Sequence, residues 1–237
     1  MSNLEVSRNE LKYFISNTEY NVLVGKLEHV LTPDSHSEPR KGYFIRSLYF
    51  DSHDDECLYA KQAGFMFRQK FRMRIYDTSS ELVKFEIKNK HNNQIFKETA
   101  TISRESANRV IDGEYGELLK YDNPVLSRIY KRFSEKAYKP KVIIDYTRDA
   151  FVYDFFNTRI TIDKDLKSNT TDFDLFSDNL HAIPVILEGK QLLEIKYEHV
   201  LPEYLWRVLQ LDSFERYAIS KYVLGRRFFK LSKWEDS

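Results

Sequence analysis

Cysteine is almost missing from this chain. The single Cys57 excludes an internal disulfide and fits a reducing compartment, so the cytosol is the expected location. Long apolar runs are missing too. No stretch approaches the roughly 18 residues of a membrane span, and no membrane segment is expected. The opening residues, MSNLEVSRNELKY, hold no apolar core of the kind a secretory leader needs. Seven glycines and six prolines form no linker, repeat or low-complexity tract, so a single domain over residues 1–237 is expected. No P-loop or dinucleotide-binding glycine pattern occurs, and His29, His53, His91 and His199 lack metal-ligand spacing. Net charge is also nearly absent, at a formal +1. Bulk polycationic binding is thereby excluded, and any basic site must be a local arrangement balanced by acids elsewhere.

What is present is aromatic and β-branched. Apolar residues make up 42% and aromatics 15%, enough for a globular core rich in strands. Alternation predicts strands over 9–15, 43–51, 68–76, 81–90, 93–102, 141–153 and 158–163, and two more within 184–197 joined by a turn at Gly189. Helical spacing predicts helices over 17–31, 103–112 (opened by Ser103) and 123–133. Two more are expected, over 202–211 with Pro202 at its first position and over 212–229 capped by Asp212. The last would align Phe214, Tyr217, Lys221, Leu224 and Phe228 on one face. Residues 32–42, 89–94 and 163–172 read as loops. The expected fold class is α+β, an antiparallel sheet with several helices.

The charge pattern of the strands is the unusual feature. RQKFRMRIY, residues 68–76, puts Arg68, Lys70, Arg72 and Arg74 on one face and Gln69, Phe71, Met73 and Ile75 on the other. Neighbouring cations on such a face lie about 7 Å apart and repel by roughly 2 kcal/mol per pair at an effective dielectric near 20, before salt screening. A merely solvated face would interleave acids. Instead a lone glutamate recurs two residues before a lysine, as Glu10 with Lys12, Glu86 with Lys88 and Glu194 with Lys196. Carboxylates among cations weaken a simple polyanion grip but suit a divalent metal, which needs hard oxygen ligands. Strands closed with their charges inward would form a positive, wet tunnel, sheathed outside by helices and suited to a chain of phosphates with bound metal. Nucleic acid is disfavoured as a partner, because the aromatic residues lie opposite the cations instead of among them.

The motifs RNELKY (8–13), IRSLYFDS (45–52), LYAKQAGFMFRQKFRMRIY (58–76), FEIKNK (85–90), PKVIIDYTRDAFV (140–152), TRITID (158–163), LLEIKY (192–197) and ISKYVLG (219–225) occur in this order along nearly the whole chain. In them the chain resembles the VTC domain, the polyphosphate polymerase module of the CYTH-like, triphosphate tunnel superfamily. The resemblance implies an eight-stranded antiparallel β tunnel covered by helices. It also implies transfer of the γ-phosphate of ATP to growing inorganic polyphosphate with release of ADP, assisted by Mn²⁺ or Mg²⁺. By motif position it implies catalytic roles for Lys12, Arg72, Arg74, Lys88, Arg148 and Lys196. Substrate binding would fall to Arg46, Arg68, Lys97, Arg159 and Lys221. Glu194 would hold the metal, with Glu10 and Glu86 assisting. A metal-dependent triphosphatase using the same tunnel, or a polyphosphate-binding protein without turnover, would need the same residues.

Overall fold

Residues 9–15 alternate as a half-buried strand must, and in the computed structural model they lie in β1 (Arg8–Ser16), with Leu11, Tyr13 and Ile15 buried. The structure describes residues 8–38, 40–92, 94–210 and 214–231. Ser16 ends the strand and caps α1 (Asn17–Val30): its Oγ accepts from Glu19 N at 3.2 Å, and the Glu19 carboxylate accepts from Ser16 N at 2.6 Å. This reciprocal capping box satisfies two backbone donors that helix geometry leaves orphaned. Further elements are β2 (Thr32–Pro33), β3 (Tyr43–Asp51), α2 (Glu56–Gln62), β4 (Phe67–Ile75), β5 (Leu82–His91), β6 (Gln94–Ser103) and α3 (Arg104–Ile111). They are followed by α4 (Pro124–Lys136), β7 (Lys139–Tyr153), β8 (Thr158–Asn169), β9 (Ile183–Pro184), β10 (Lys190–Glu198), α5 (Glu203–Leu209) and α6 (Lys221–Leu231). Short 3-10 turns occupy Tyr115–Lys120 and Phe155–Asn157.

The chain divides into two compact units. The first comprises Met1–Phe44, Tyr146–Leu166 and Ile186–Ile219. Its strands run in the order β1-β10-β8-β7, with β2 on β7. The apolar face of these strands meets α1 and α5, where Leu23, Val24, Leu27, Leu205 and Leu209 close over Ile15, Ile160, Ile162, Leu193 and Ile195. The second unit comprises Ile45–Asp145, Lys167–Val185 and Ser220–Ser237, with strand order β7-β3-β4-β5-β6. Its core is aromatic. Phe133 of α4 stacks on Tyr138 at 4.9 Å and meets Phe50, Phe71 and Phe85. Each such ring withdrawn from water contributes about 1.5–3 kcal/mol.

The assigned ladders β1/β10, β10/β8, β3/β4, β4/β5 and β5/β6 are all antiparallel, as the α+β expectation required. Closure into a tunnel is not detected among the described residues. Four local expectations are corrected. Residues 89–94 are not a loop throughout: β5 runs to His91 and β6 begins at Gln94, with Asn89, Lys90 and His91 paired across the ladder. Residues 163–172 are not a loop throughout: β8 continues to Asn169, because Leu166 and Ser168 point inward and β9 pairs with Lys167 and Ser168. The two strands expected within 184–197 are one, since β9 ends at Pro184 and pairs with β8. The helix expected over 212–229 begins only at Lys221. Residues before it run extended beside β1, where Tyr217 N donates to Lys12 O at 3.0 Å and Arg216 bridges Tyr13. Phe214 and Tyr217 therefore leave the expected helical stripe. Asp212 and the side chain of Phe228 lie outside the described residues.

Candidate functional site

In the second unit the register decides which charges meet. β4 and β5 pair Arg68 with Lys90, Lys70 with Lys88, and Arg72 with Glu86. β5 and β6 pair Lys88 with Lys97 and Glu86 with Thr99. One rung across three strands is thus Lys70, Lys88 and Lys97. The next is Arg72, Glu86 and Thr99. Like charges directly opposite each other destabilise a sheet, by roughly 0.2–1 kcal/mol a pair. The arrangement is tolerated because Glu86, 1% exposed, sits beside the cations. It accepts from Arg72 Nε at 2.5 Å and from Lys97 Nζ at 3.1 Å. Burial alone would raise its pKa, but the charges of Arg72, Arg74 and Lys97 overcome that and hold it at about 2.

Further bonds fix the row. Arg72 donates to Tyr49 OH at 3.3 Å, Arg74 Nε donates to Ser47 Oγ at 3.2 Å, and Lys70 Nζ donates to Ser220 Oγ at 2.7 Å. Ser220 stands immediately before α6, so the start of that helix and the Lys70 ammonium share one hydroxyl. Lys221 is the first residue of α6 and is half-buried. Arg68, partly desolvated and so shifted down in pKa, donates to Phe65 O at 2.8 Å. Arg46 lies apart in role. It is 4% exposed and forks onto Asp145 at 2.9 and 2.7 Å, while its Nη1 donates to Leu175 O and Ser177 O. With so many partners of its own it reads as a buried structural ion pair.

The first unit carries a different pattern. β1 and β10 set Glu10 opposite Lys196 and Lys12 opposite Glu194, a checkerboard of two acids and two bases. Lys12 Nζ lies 3.3 Å from Glu10 and 3.7 Å from Glu194; Lys196 pairs with Glu194 and lies 3.7 Å from Glu10. On the neighbouring strand, Arg159 is paired with Lys196 in register and reaches Asp34 at 2.7 Å and Tyr43 OH at 3.2 Å. Arg148 of β7 forks onto the fully buried Asp163 at 2.6 and 2.9 Å. Burial works against the Arg148 charge, yet the Asp163 carboxylate raises its pKa well above the ordinary guanidinium value. Gly42 presses on this residue: with φ of +69°, a Cβ there would lie 2.4 Å from Arg148 O.

Most of the sequence-expected site residues therefore fall in two sets, with Arg46, Arg68, Arg148 and Lys221 outside both. Lys70, Arg72, Arg74, Glu86, Lys88 and Lys97 share three strands of one unit. Glu10, Lys12, Glu194, Lys196 and Arg159 share three strands of the other. Glu86, expected beside a metal, is enclosed by Arg72, Arg74 and Lys97, so a divalent cation there would add positive charge to three cations. Glu10 and Glu194 offer carboxylate oxygens on adjacent strands, a donor set suited to an ion that takes its other ligands from phosphate and water. Among the described residues no group of three or more His, Cys, Asp or Glu side chains converges as a metal centre. Sequence reasoning missed the acids Asp34, Asp145 and Asp163 and the hydroxyls of Ser47, Tyr49 and Ser220. The signal for Asp163 was present, because Arg159, Thr161 and Asp163 share one face by alternation.

The model of the VTC domain matches residues 7–230. No curated protein matches the sequence. A crystal structure of a candidate adenylate cyclase from Bacillus halodurans is similar with a TM-score of 0.53 at 14% identity, covering 90% of this chain and 95% of the other. A candidate adenylyl cyclase from Hippeastrum, reported with a dominant triphosphatase activity, gives 0.54 at 15% identity, covering 93% and 95%. At these identities the likeness bears on the fold alone, which the chain shares with these two structures.

Proposed function

Because the chain belongs to the VTC domain family, we propose that it is a phosphoryl-transfer enzyme that moves the γ-phosphate of ATP onto growing inorganic polyphosphate and releases ADP. The observation that carries this reading is the Lys70–Lys88–Lys97 row beside Arg72 and Arg74, with cations on three neighbouring strands set around the carboxylate of Glu86. A row of phosphates spaced along a chain would meet these cations rung by rung. Arg72 and Arg74 offer planar forks for phosphate oxygens, and the lysines act as point charges.

The reaction needs little from the protein beyond placement. The terminal phosphate of the acceptor is already an oxyanion, so no general base is required. It attacks the γ-phosphorus in line, the bond to the bridging oxygen breaks, and ADP carries that oxygen away. Positioning and neutralisation of the spread charge supply the rate. Bound Mn²⁺ or Mg²⁺ would supply charge neutralisation at phosphate oxygens, and Glu194 with Glu10 are the residues that would hold it. Lys12 and Lys196, which bridge those two carboxylates, then shift their pairing towards phosphate.

The triphosphatase of the Hippeastrum neighbour favours a second reading, in which water replaces the acceptor. Incubation with ATP and Mn²⁺, followed by gel analysis, separates the two. Long phosphate chains support polymerisation. Free phosphate without chains gives the site to hydrolysis, and tight binding with neither product leaves a polyphosphate-binding protein.

A further inference from the structure

The segment joining α2 to β4 holds its apolar side chains in water. Every residue from Gln62 to Phe67 is exposed, with Phe65 at 60%, Met66 at 72% and Phe67 at 62%. Tyr59 on α2 and Phe96 on β6 add further exposed rings. The backbone is fixed, not frayed: Phe65 N donates to Ala60 O at 3.0 Å, Asn92 N donates to Met66 O at 2.9 Å, and Phe65 O accepts from Arg68. Phe65, Met66 and Phe67 thus project into solvent from the α2–β4 turn and the first residue of β4.

The tip stands in a region of one charge sign. Between Tyr59 and Tyr76 the sequence has Lys61, Arg68, Lys70, Arg72 and Arg74 and no acid. Between Ile87 and Lys97 it has Lys88, Lys90 and Lys97 and again no acid. The ladder brings the two stretches together, pairing Phe67 with His91 and Arg68 with Lys90. Apolar residues at the tip with cations behind them match the profile of a bilayer interface, apolar below and anionic at the headgroups.

We propose that this tip docks the protein peripherally on an anionic lipid bilayer. Phe65, Met66 and Phe67 enter the boundary between headgroups and acyl chains, and Lys61, Arg68 and Lys90 meet lipid phosphates. A bilayer demands no shape complementarity, which suits apolar side chains that project singly into solvent. A second copy of this chain would set the same cations against each other.

The test is sedimentation of the full chain with vesicles of phosphatidylcholine alone or mixed with phosphatidylglycerol. Binding is expected only to the anionic vesicles and should weaken with salt. Phe65→Ser combined with Met66→Ser should reduce it by about tenfold or more while leaving turnover in solution unchanged. A Met66→Trp variant should show blue-shifted emission on the same vesicles. Absence of sedimentation with anionic vesicles at low salt overturns the proposal. So does undiminished binding of the double serine variant, which would assign lipid phosphate to the cation row. Self-association abolished by the same double variant would give the tip to a second copy instead.

Discussion

Glu86→Gln isolates a charge. The substitution keeps the shape of the side chain and one acceptor oxygen, so what disappears is the negative charge between Arg72, at 2.5 Å, and Lys97, at 3.1 Å. The folded carboxyl titrates at about 2, against an ordinary value of 4.5. That difference corresponds to about 3 kcal/mol of stability. It agrees with the roughly 3–5 kcal/mol lost when one partner of a buried ion pair is removed. For a chain of this length each kcal/mol moves the melting temperature by about 2–4 °C, so a fall of about 6–12 °C is expected at neutral pH.

The pH dependence gives the sign. The folded pKa of Glu86 lies below its unfolded value, so its contribution is complete above about pH 4.5 and is lost as pH falls from there towards about 2. Melting curves of the two proteins should differ by a constant amount near neutrality and converge in acid. Inorganic triphosphate at neutral pH should narrow the gap, because an anion replaces the lost countercharge and stabilises by mass action. Equal melting temperatures at neutral pH would refute the reasoning. A gap that persists undiminished in acid would show that shape, not charge, was removed.

Asp145→Asn removes the carboxylate partner of the buried Arg46 fork and should cost about 3–5 kcal/mol, read as a lower urea midpoint at unchanged slope. An unmoved midpoint would return Arg46 to the list of residues available to substrate. Gly225→Ala should also destabilise. Its Cβ would lie 2.4 Å from Ile144 Cδ1, 3.0 Å from Val142 Cγ2 and 3.2 Å from Ser168 Cβ. Overpacking of about 1–3 kcal/mol outweighs a helix-propensity gain of up to about 1 kcal/mol. A raised melting temperature would contradict that balance.

The strands were legible because one face of each is buried, and burial writes a period of two into the sequence. β3 is the exception: residues 43–51 match it end to end although Ile45–Asp51 are buried on both faces, because the run is rich in aromatic and aliphatic residues. Where structure depends on distant backbone, the sequence was silent. The 3.6-residue spacing of Phe214, Tyr217 and Lys221 is genuine, yet the carbonyl of Lys12 takes the Tyr217 N–H and the segment stays extended. Seven-residue α2 was missed because its support comes from outside it: the Asp51 carboxylate accepts from Cys57 N at 2.9 Å and Leu58 N at 3.0 Å. The candidate site divides the same way. Alternation exposed its cations, since neighbours on one strand are two residues apart. Their acids arrive from elsewhere in the chain, Asp34 just after β2, Asp145 from β7 and Asp163 from β8, so no local spacing joins Arg159 to Asp34, Arg46 to Asp145 or Arg148 to Asp163.

The recurring Glu-x-Lys pattern has a physical explanation in the two registers. On an extended strand it places an acid one rung from a base on the same face, so each strand brings its own countercharge. In the first unit two such strands run antiparallel and their pairs cross-neutralise, Glu10 against Lys196 and Lys12 against Glu194. Charge is balanced there, and the carboxylates remain able to accept a cation if the lysines turn to another anion. Among the described strands of the second unit, β5 carries the pattern, and its partners β4 and β6 bring Lys70, Arg72 and Lys97 without a further acid in the rungs they share with Lys88 and Glu86. Cations therefore outnumber acids in those two rungs. The same dipeptide spacing gives a balanced checkerboard in one unit and a row dominated by cations in the other, according to whether the neighbouring strand repeats it.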